Sequence, residues 1–267
     1  MNLLQILVLA VVQGITEFLP ISSSGHLLLV PLLTGWPDQG LSLDIATHVG
    51  TLVAVIAYFR ADVIYMLSSL VSRGTSEEVK LGRQLAYHVI IGSIPALLAG
   101  ALLFFVANLD LRSLLMIAIM TLFFGVVLGI ADRFFKGNRL LKDMNSWDAL
   151  FIGIFQIFAL FPGTSRSGVT MTAALLRGLD RTEAARFSML LSIPVIAGAG
   201  FAVTTKIIVE NEMNLGIDAL IASVVSFLVA YVAIKALMSL IAKISFMPFV
   251  WYRIVLGVFL IAVYVSS

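Results

Sequence analysis

Six stretches of this chain, 45–59, 89–107, 114–131, 187–205, 219–242 and 249–265, are continuous apolar sequence. They approach or exceed the roughly 20 residues a helix needs to cross the hydrocarbon core of a bilayer. Their apolar residues run on rather than alternate, which excludes a β-barrel, and lipid tolerates no other spanning structure than helices and closed barrels. Composition agrees: 60% of residues are hydrophobic and 12% charged, against about 45–50% and about 25% in soluble domains. Mean hydropathy is +1.07. A disordered chain, a secreted disulfide scaffold and an ordinary soluble enzyme are excluded. The absence of cysteine removes disulfides and thiolate metal sites. The fold class is therefore an all-α polytopic membrane protein with about six transmembrane helices in one membrane domain.

Two further apolar segments are interrupted. Residues 3–33 carry Gln13, Glu17, Pro20 and the run Ser22–His26, and residues 149–176 carry Gln156, Pro162, Gly163 and the run Thr164–Gly168. Each half is too short to span, so each segment is predicted to be a re-entrant helical hairpin, whose irregular backbone must line a cavity in the protein. The first 20 residues contain no Lys or Arg and do contain Glu17, which argues against a signal peptide.

The two segments repeat each other. A shift of 143 places Gln13 on Gln156, Phe18 on Phe161, Ser22 on Ser165, Ser24 on Ser167, Gly25 on Gly168, Leu32 and Leu33 on Leu175 and Leu176, and Gly35 on Gly178. Each half then reads as one hairpin followed by three spans, repeat one over about 1–134 and repeat two over about 147–267. Three is odd, so the second half is inverted relative to the first, a plan that puts the site at the midplane between repeats. This topology gathers fourteen Lys and Arg residues on one face, among them Arg60, Arg139, Arg186 and Arg253, and leaves Arg112 and Lys206 on the other, with Arg166 inside. By the positive-inside rule the rich face is cytoplasmic, and both termini and the first hairpin face outward. The basic run Asn138–Lys142 is then a cytoplasmic loop, not a nucleic-acid patch.

Glu17 and Arg166 fall well inside the broken segments. A charge at the bilayer centre costs roughly 2.5–3.5 kcal/mol on insertion scales, so each is expected to face a cavity and to have a partner, most simply the other. The hydroxyls of Ser22, Ser23, Ser24, Thr164, Ser165 and Ser167 exceed what a structural tie uses. Gly25 and Gly168 let the backbone turn, and a helix is expected to start after each, so two positive helix N-termini would converge on Arg166. Guanidinium forks suit phosphate oxygens. The pattern predicts a phosphate-type anion held by Ser22, Ser24, Gly25, Thr164, Ser165, Arg166, Ser167 and Gly168.

Gln13 lies one helical turn before Glu17. A carboxylate beside phosphate is repelled unless a cation intervenes, so one reading has Glu17 and Gln13 holding Mg²⁺ or Ca²⁺. The other makes Glu17 a general base for a serine hydroxyl or water. His26 reads as proton donor to a leaving oxygen or as nucleophile to phosphorus. His48 and His88 lie on or near spans without such neighbours and are read as structural. Leu160 stands where the first half has Glu17, so the chemistry is asymmetric.

The run Gln13-Gly-Ile-Thr-Glu17-Phe-Leu-Pro20-Ile-Ser22-Ser23-Ser24-Gly25-His26 and the run Pro162-Gly163-Thr164-Ser165-Arg166-Ser167-Gly168 resemble the two motifs of the undecaprenyl-diphosphate phosphatase, or bacitracin-resistance, family. The stretches His48–Leu52 and Ile244–Pro248 are similar to it as well, and the likeness covers the full length. The resemblance implies a bacterial plasma-membrane enzyme with an inverted-repeat fold. It would cleave a polyprenyl diphosphate, the lipid carrier of cell-wall synthesis, to the monophosphate and phosphate. It would need a divalent cation, confer bacitracin resistance and allow a homodimer. Glu17, Ser23, His26 and Arg166 would be catalytic. The rival reading is a transporter or flippase of a phosphorylated lipid or small anion, since inverted repeats with broken helices are a transporter pattern.

Overall fold

A computed structural model of the chain describes residues 2–37, 40–104, 113–209 and 216–266. Within them lie eleven α-helices: α1 (Leu3–Thr16), α2 (Ser23–Thr34), α3 (Gly40–Tyr58), α4 (Arg60–Val71), α5 (Glu77–Leu102), α6 (Leu114–Phe134), α7 (Ser146–Gln156), α8 (Arg166–Leu176), α9 (Arg181–Val209), α10 (Ile217–Ile241) and α11 (Met247–Ser266). Five of them, α5, α6, α9, α10 and α11, are long and apolar enough to cross a bilayer, and α3 with α4 forms a sixth path bent by 77°. The chain is a multi-pass membrane protein.

The two hairpins fall where the polar interruptions place them. α1 and α2 enclose the first loop, and α7, continued by a 3-10 turn over Ile157–Leu160, and α8 enclose the second. Local sequence starts these arms. Asn2 and Gln5 exchange side-chain-to-backbone hydrogen bonds at the head of α1, and Asn145 and Asp148 do the same at the head of α7, satisfying amides a helix start leaves free.

The spans depart from expectation at one end. α5 begins at Glu77 rather than at 89, because Ser76 caps it and Glu77 and Glu78 favour its first turn. α4 is an additional helix. It carries Asp62, Ser68 and Ser69, too polar for a hydropathy reading to register, and polar ties hold it. Asp62 pairs with Arg186 of α9, the Tyr65 hydroxyl donates to the Glu78 carbonyl at 2.6 Å, and Arg83 donates to the Ser69 carbonyl at 3.2 Å. The end of the expected span 89–107 and Arg112 lie outside the described residues, as does the side chain of Lys206.

The two halves interlock. α1 packs on α10 and α7 on α5; α3 packs on α10 and α9 on α5; α3 meets α9, and α6 meets α11. Between apolar helices in lipid the association rests on close packing rather than on water exclusion, and the approach is close. A Cβ on Gly153 of α7 would lie 2.4 Å from the Gly92 carbonyl oxygen of α5.

One difference between the halves positions the site. Ser167 to Leu175 of α8 are all buried, walled by α6, α7 and α9. In α2 only Gly25 is buried. The second hairpin is thus a fixed inner wall and the first presents the open side. The basic end of the molecule is laced by ion pairs: Asp148 with Arg139 and Arg177, Asp132 with Arg181, and Asp62 with Arg186.

Candidate active site between the two re-entrant loops

Both loops are built alike. Ser22 and Ser165 cap α2 and α8 with φ of 74° and 68° and ψ of 97° and 108°. Each hydroxyl accepts from an amide three residues on, Gly25 at 3.4 Å and Gly168 at 3.2 Å. Each also lies 3.2 Å from a second serine hydroxyl, Ser24 or Ser167. The left-handed turn is therefore made at the serines, not at Gly25 and Gly168 as the sequence suggests; those glycines already lie within the helices. A left-handed backbone at a residue with a side chain costs about 1–3 kcal/mol and persists only where its surroundings impose it.

The loops are stitched together. The Gly163 N–H donates to Ser24 Oγ at 3.1 Å, and Ser167 Oγ donates to the Leu19 carbonyl at 3.0 Å. Gly163 is where the second loop meets α6. Its φ is +94°, and a Cβ there would sit 2.3 Å from the Ile117 carbonyl oxygen. Gly163→Ala is expected to push the loop off α6, lowering the thermal midpoint in detergent and cutting turnover at least tenfold. A normal rate and midpoint would show that this contact is not needed.

Glu17 and Arg166 meet as expected. Arg166 Nη2 lies 3.0 Å from Glu17 Oε1, with side chains 12% and 7% exposed, so the pair is shielded from water. The guanidinium also lies over the Phe18 ring, 5.8 Å from its centroid. Glu17 Oε2 accepts from Gln13 Nε2 at 2.8 Å and from Ser23 Oγ at 3.1 Å. Ser23 is the hydroxyl that reaches the carboxylate; those of Ser22, Ser24, Ser165 and Ser167 are engaged in capping and stitching. Of the five buried side-chain polar atoms without a partner among the described residues, three belong here: Gln13 Oε1, Thr164 Oγ1 and Arg166 Nη1. Buried polar groups are nearly always satisfied, so such a cluster marks a place for a polar ligand.

His26 stands apart from this pair. Its Nδ1 lies 2.6 Å from the Ser22 carbonyl and its Nε2 2.6 Å from the Tyr252 hydroxyl, with the two rings stacked. A carbonyl only accepts, so Nδ1 carries the proton and the neutral ring offers Nε2 as an acceptor. Beside these two residues opens an apolar cleft of about 480 Å³ lined by Val12, Ile15, Leu19 and Phe249. It adjoins a second of about 700 Å³ along α1, α10 and α11, sharing Ile15, Leu19 and Phe249.

The chain matches the sequence profile of the bacitracin resistance protein BacA over residues 6–259. It belongs to the bacitracin resistance protein family. Proteins named undecaprenyl-diphosphatase are similar along nearly all of it. That of Hahella chejuensis is 48% identical over 257 residues, covering 96% of each chain. That of Alteromonas mediterranea is 46% identical over 261 residues and that of Thioalkalivibrio sulfidiphilus 48% over 266, each covering 98% of both chains.

The site includes two ionisable groups that their sequence positions do not place there. His48, structural by sequence, lies with its Nε2 3.8 Å from Glu17 Oε2 and its Nδ1 2.7 Å from the Asp44 carbonyl, so it is a neighbour of the carboxylate. Arg253 was assigned to the basic face, yet it is fully buried, and its guanidinium bonds backbone carbonyls of the second loop and of α6. Both lie within apolar runs, the signal that singled out Glu17 and Arg166. For Arg253 nearness to a helix end masks that signal, and for His48 the absence of a serine cluster beside it does.

Proposed function

We propose that this chain cleaves the terminal phosphate from undecaprenyl diphosphate, the compound named in its relatives, giving undecaprenyl phosphate and phosphate. The reaction returns the cell-wall lipid carrier to use and deprives bacitracin of its target. The observation that carries the reading is a single carboxylate, Glu17, joined to a serine hydroxyl of its own loop and to the arginine of the other. Binding alone would not use that contact.

The roles follow from the geometry. Arg166 keeps Nη2 on Glu17 and offers Nη1 to a phosphate oxygen, together with Thr164 Oγ1 and the free amides at the starts of α2 and α8. Glu17 takes the Ser23 Oγ proton while Oγ bonds the terminal phosphorus. The bond from that phosphorus to the bridging oxygen breaks, and its electron pair leaves with undecaprenyl phosphate. Water then cleaves the phosphoserine, releasing phosphate and restoring the hydroxyl. His48 and Gln13 hold the carboxylate in place. The prenyl chain leaves through the apolar cleft that opens beside His26 and Tyr252, so it stays among apolar side chains while the diphosphate sits between the loops.

The donors also suit a hard divalent cation. Among the described residues no three His, Asp or Glu side chains cluster, but Glu17 lies beside Gln13, whose buried Oε1 lacks a partner. One carboxylate, an amide oxygen and the substrate's phosphate oxygens are a suitable set for Mg²⁺ or Ca²⁺. Such a cation would offset the diphosphate charge and polarise the phosphorus. We place the chain in the bacterial plasma membrane, both termini outward. With Arg253 counted inside, thirteen cationic residues remain on the cytoplasmic side of that topology. We also expect a homodimer, to be read by sedimentation in detergent.

The test is phosphate release by the purified protein from a short-chain prenyl diphosphate, with and without chelator. Release that stops on chelation and returns with Mg²⁺ or Ca²⁺ is expected; no release would sink the hydrolase reading. Ser23→Ala is expected to cut the rate by at least about 10⁴-fold, since removing a nucleophilic serine costs up to about 10⁶-fold. A rate within threefold of normal would pass the attack to water, with Glu17 as its base.

A further inference from the structure

Arg253 of α11 is the largest side chain wholly buried in the described residues. Its contacts are with backbone. Nε donates to the Thr121 carbonyl of α6 at 3.1 Å, Nη2 to the Gly163 and Thr164 carbonyls of the second loop at 3.0 and 2.9 Å, and Nη1 approaches the Pro20 carbonyl of the first loop at 3.5 Å. Among the described residues no carboxylate pairs with it. Arg166, by contrast, has half of its fork on Glu17, and that pair is neutral as a unit. Among the buried cationic side chains of the described residues beside the loops, Arg253 is therefore the one whose charge no carboxylate offsets, and a dianionic phosphate between the loops meets it in addition to any bound divalent cation.

The same contacts fix a direction. The peptide bonds here are trans, so a carbonyl and the following N–H point to opposite sides of a planar unit. With the Thr164 carbonyl held on Arg253, the Ser165 N–H must point away from the guanidinium. It has no acceptor among the described residues. The next two amides, of Arg166 and Ser167, begin α8 and lack intrahelical acceptors in any helix. The left-handed backbone of Ser165 follows directly on that peptide.

We infer that Arg253 is a positioning residue of the anion site. It turns the Thr164–Ser165 peptide so that the Ser165 amide joins the α8 N-terminus as a donor to phosphate, and it supplies the positive charge that Glu17 withdraws from Arg166. The inference rests on the anion lying between the loops, as proposed above.

The test measures affinity of the full-length protein in detergent for methylenediphosphonate, a diphosphate analogue that cannot be hydrolysed. Arg253→Met keeps the length and removes charge and donors. Its dissociation constant is expected to rise by about 10- to 100-fold, the range for losing a hydrogen bond to a charged group, with Arg253→Lys partly restoring affinity. Gly125→Ala is a second probe that leaves Arg253 in place. A Cβ there would lie 3.0 Å from Arg253 Cβ, so the base of that side chain must give by a few tenths of an ångström and carry the guanidinium with it, and affinity is expected to fall at least threefold. A merely structural arginine would lower the thermal midpoint and leave affinity per folded molecule unchanged. Affinity within twofold of normal in folded Arg253→Met overturns the assignment; where that variant does not fold, unchanged affinity in both Arg253→Lys and Gly125→Ala overturns it. An unaltered protein that binds no analogue overturns the anion site itself, and this role with it.

Discussion

Glu17→Gln is expected to lower kcat/KM for phosphate release by about 10³-fold or more while the protein stays folded. The substitution keeps size and shape, but the amide has one accepting oxygen where the carboxylate has two, so it can still face Arg166 only by turning its NH2 toward Gln13 and Ser23. It removes the capacity to accept a proton, a loss worth about 10²- to 10⁴-fold, and it turns the Arg166 ion pair into a weaker neutral contact. Arg166→Met should do comparable damage by removing the donor aimed at phosphate. The informative number is the double variant. Groups that act as one unit lose function once, so Glu17→Gln with Arg166→Met should be little worse than either alone. Losses that multiply would mean the two residues serve separate steps, and a normal rate for Glu17→Gln would end the mechanism. Steady-state kinetics in detergent, with circular dichroism to confirm helix content, reads all three.

Asp148→Ala is expected to destabilise the protein by about 1–3 kcal/mol, the range for losing hydrogen bonds to a charged group, because the arginines that pair with it are 32% and 39% exposed and can turn to water. Asp148 is fully buried. Its Oδ1 accepts from Arg177 at 2.6 Å, and its Oδ2 from Arg139 at 2.7 Å and from the Asn145 amide at 3.0 Å. One carboxylate thus joins the start of α7, the basic loop and the end of α8. Arg139 adds bonds to the Arg177 and Asp143 carbonyls, so the loss would untie the Asn145 amide and Arg177 from this corner while Arg139 keeps two of its bonds. Arg177 ends the helix that Arg166 begins, so slackness at this end reaches the site. A large drop in the detergent melting midpoint for Asp148→Ala, and a smaller one for Asp148→Asn, is the expected pattern. A midpoint unmoved by Asp148→Ala would show that the arginines find other partners.

Much of this site is visible in the sequence, because lipid makes polar residues conspicuous. Glu17 and Arg166 stand out as charges in apolar segments, and a charge there has few ways to be satisfied other than a partner. The serine loops stand out through their repetition at a fixed shift, and both are built to the same pattern in space. The individual hydroxyls are less legible: sequence assigns Ser22, Ser24, Thr164, Ser165 and Ser167 alike to the anion, whereas hydrogen-bond geometry makes caps of Ser22 and Ser165 and stitches of Ser24 and Ser167 and leaves Thr164 Oγ1 without a partner among the described residues. His26 is similar, since its proximity in sequence to Glu17 does not become contact; the turn at Ser22 directs the ring to Tyr252 instead.

The sequence by itself determined the membrane class, the two broken hairpins, the acid and the guanidinium that must meet, and the family, because each follows from local apolarity or from a motif read along one strand of chain. Only the tertiary structure decided that Arg253 lies under both loops, that His48 faces Glu17, that α8 is enclosed while α2 is open, and that α4 folds across the basic end. These depend on which helices become neighbours. Residues as far apart as Pro20, Gly163 and Arg253 are brought together by packing between distant elements, and no spacing within a single segment encodes it.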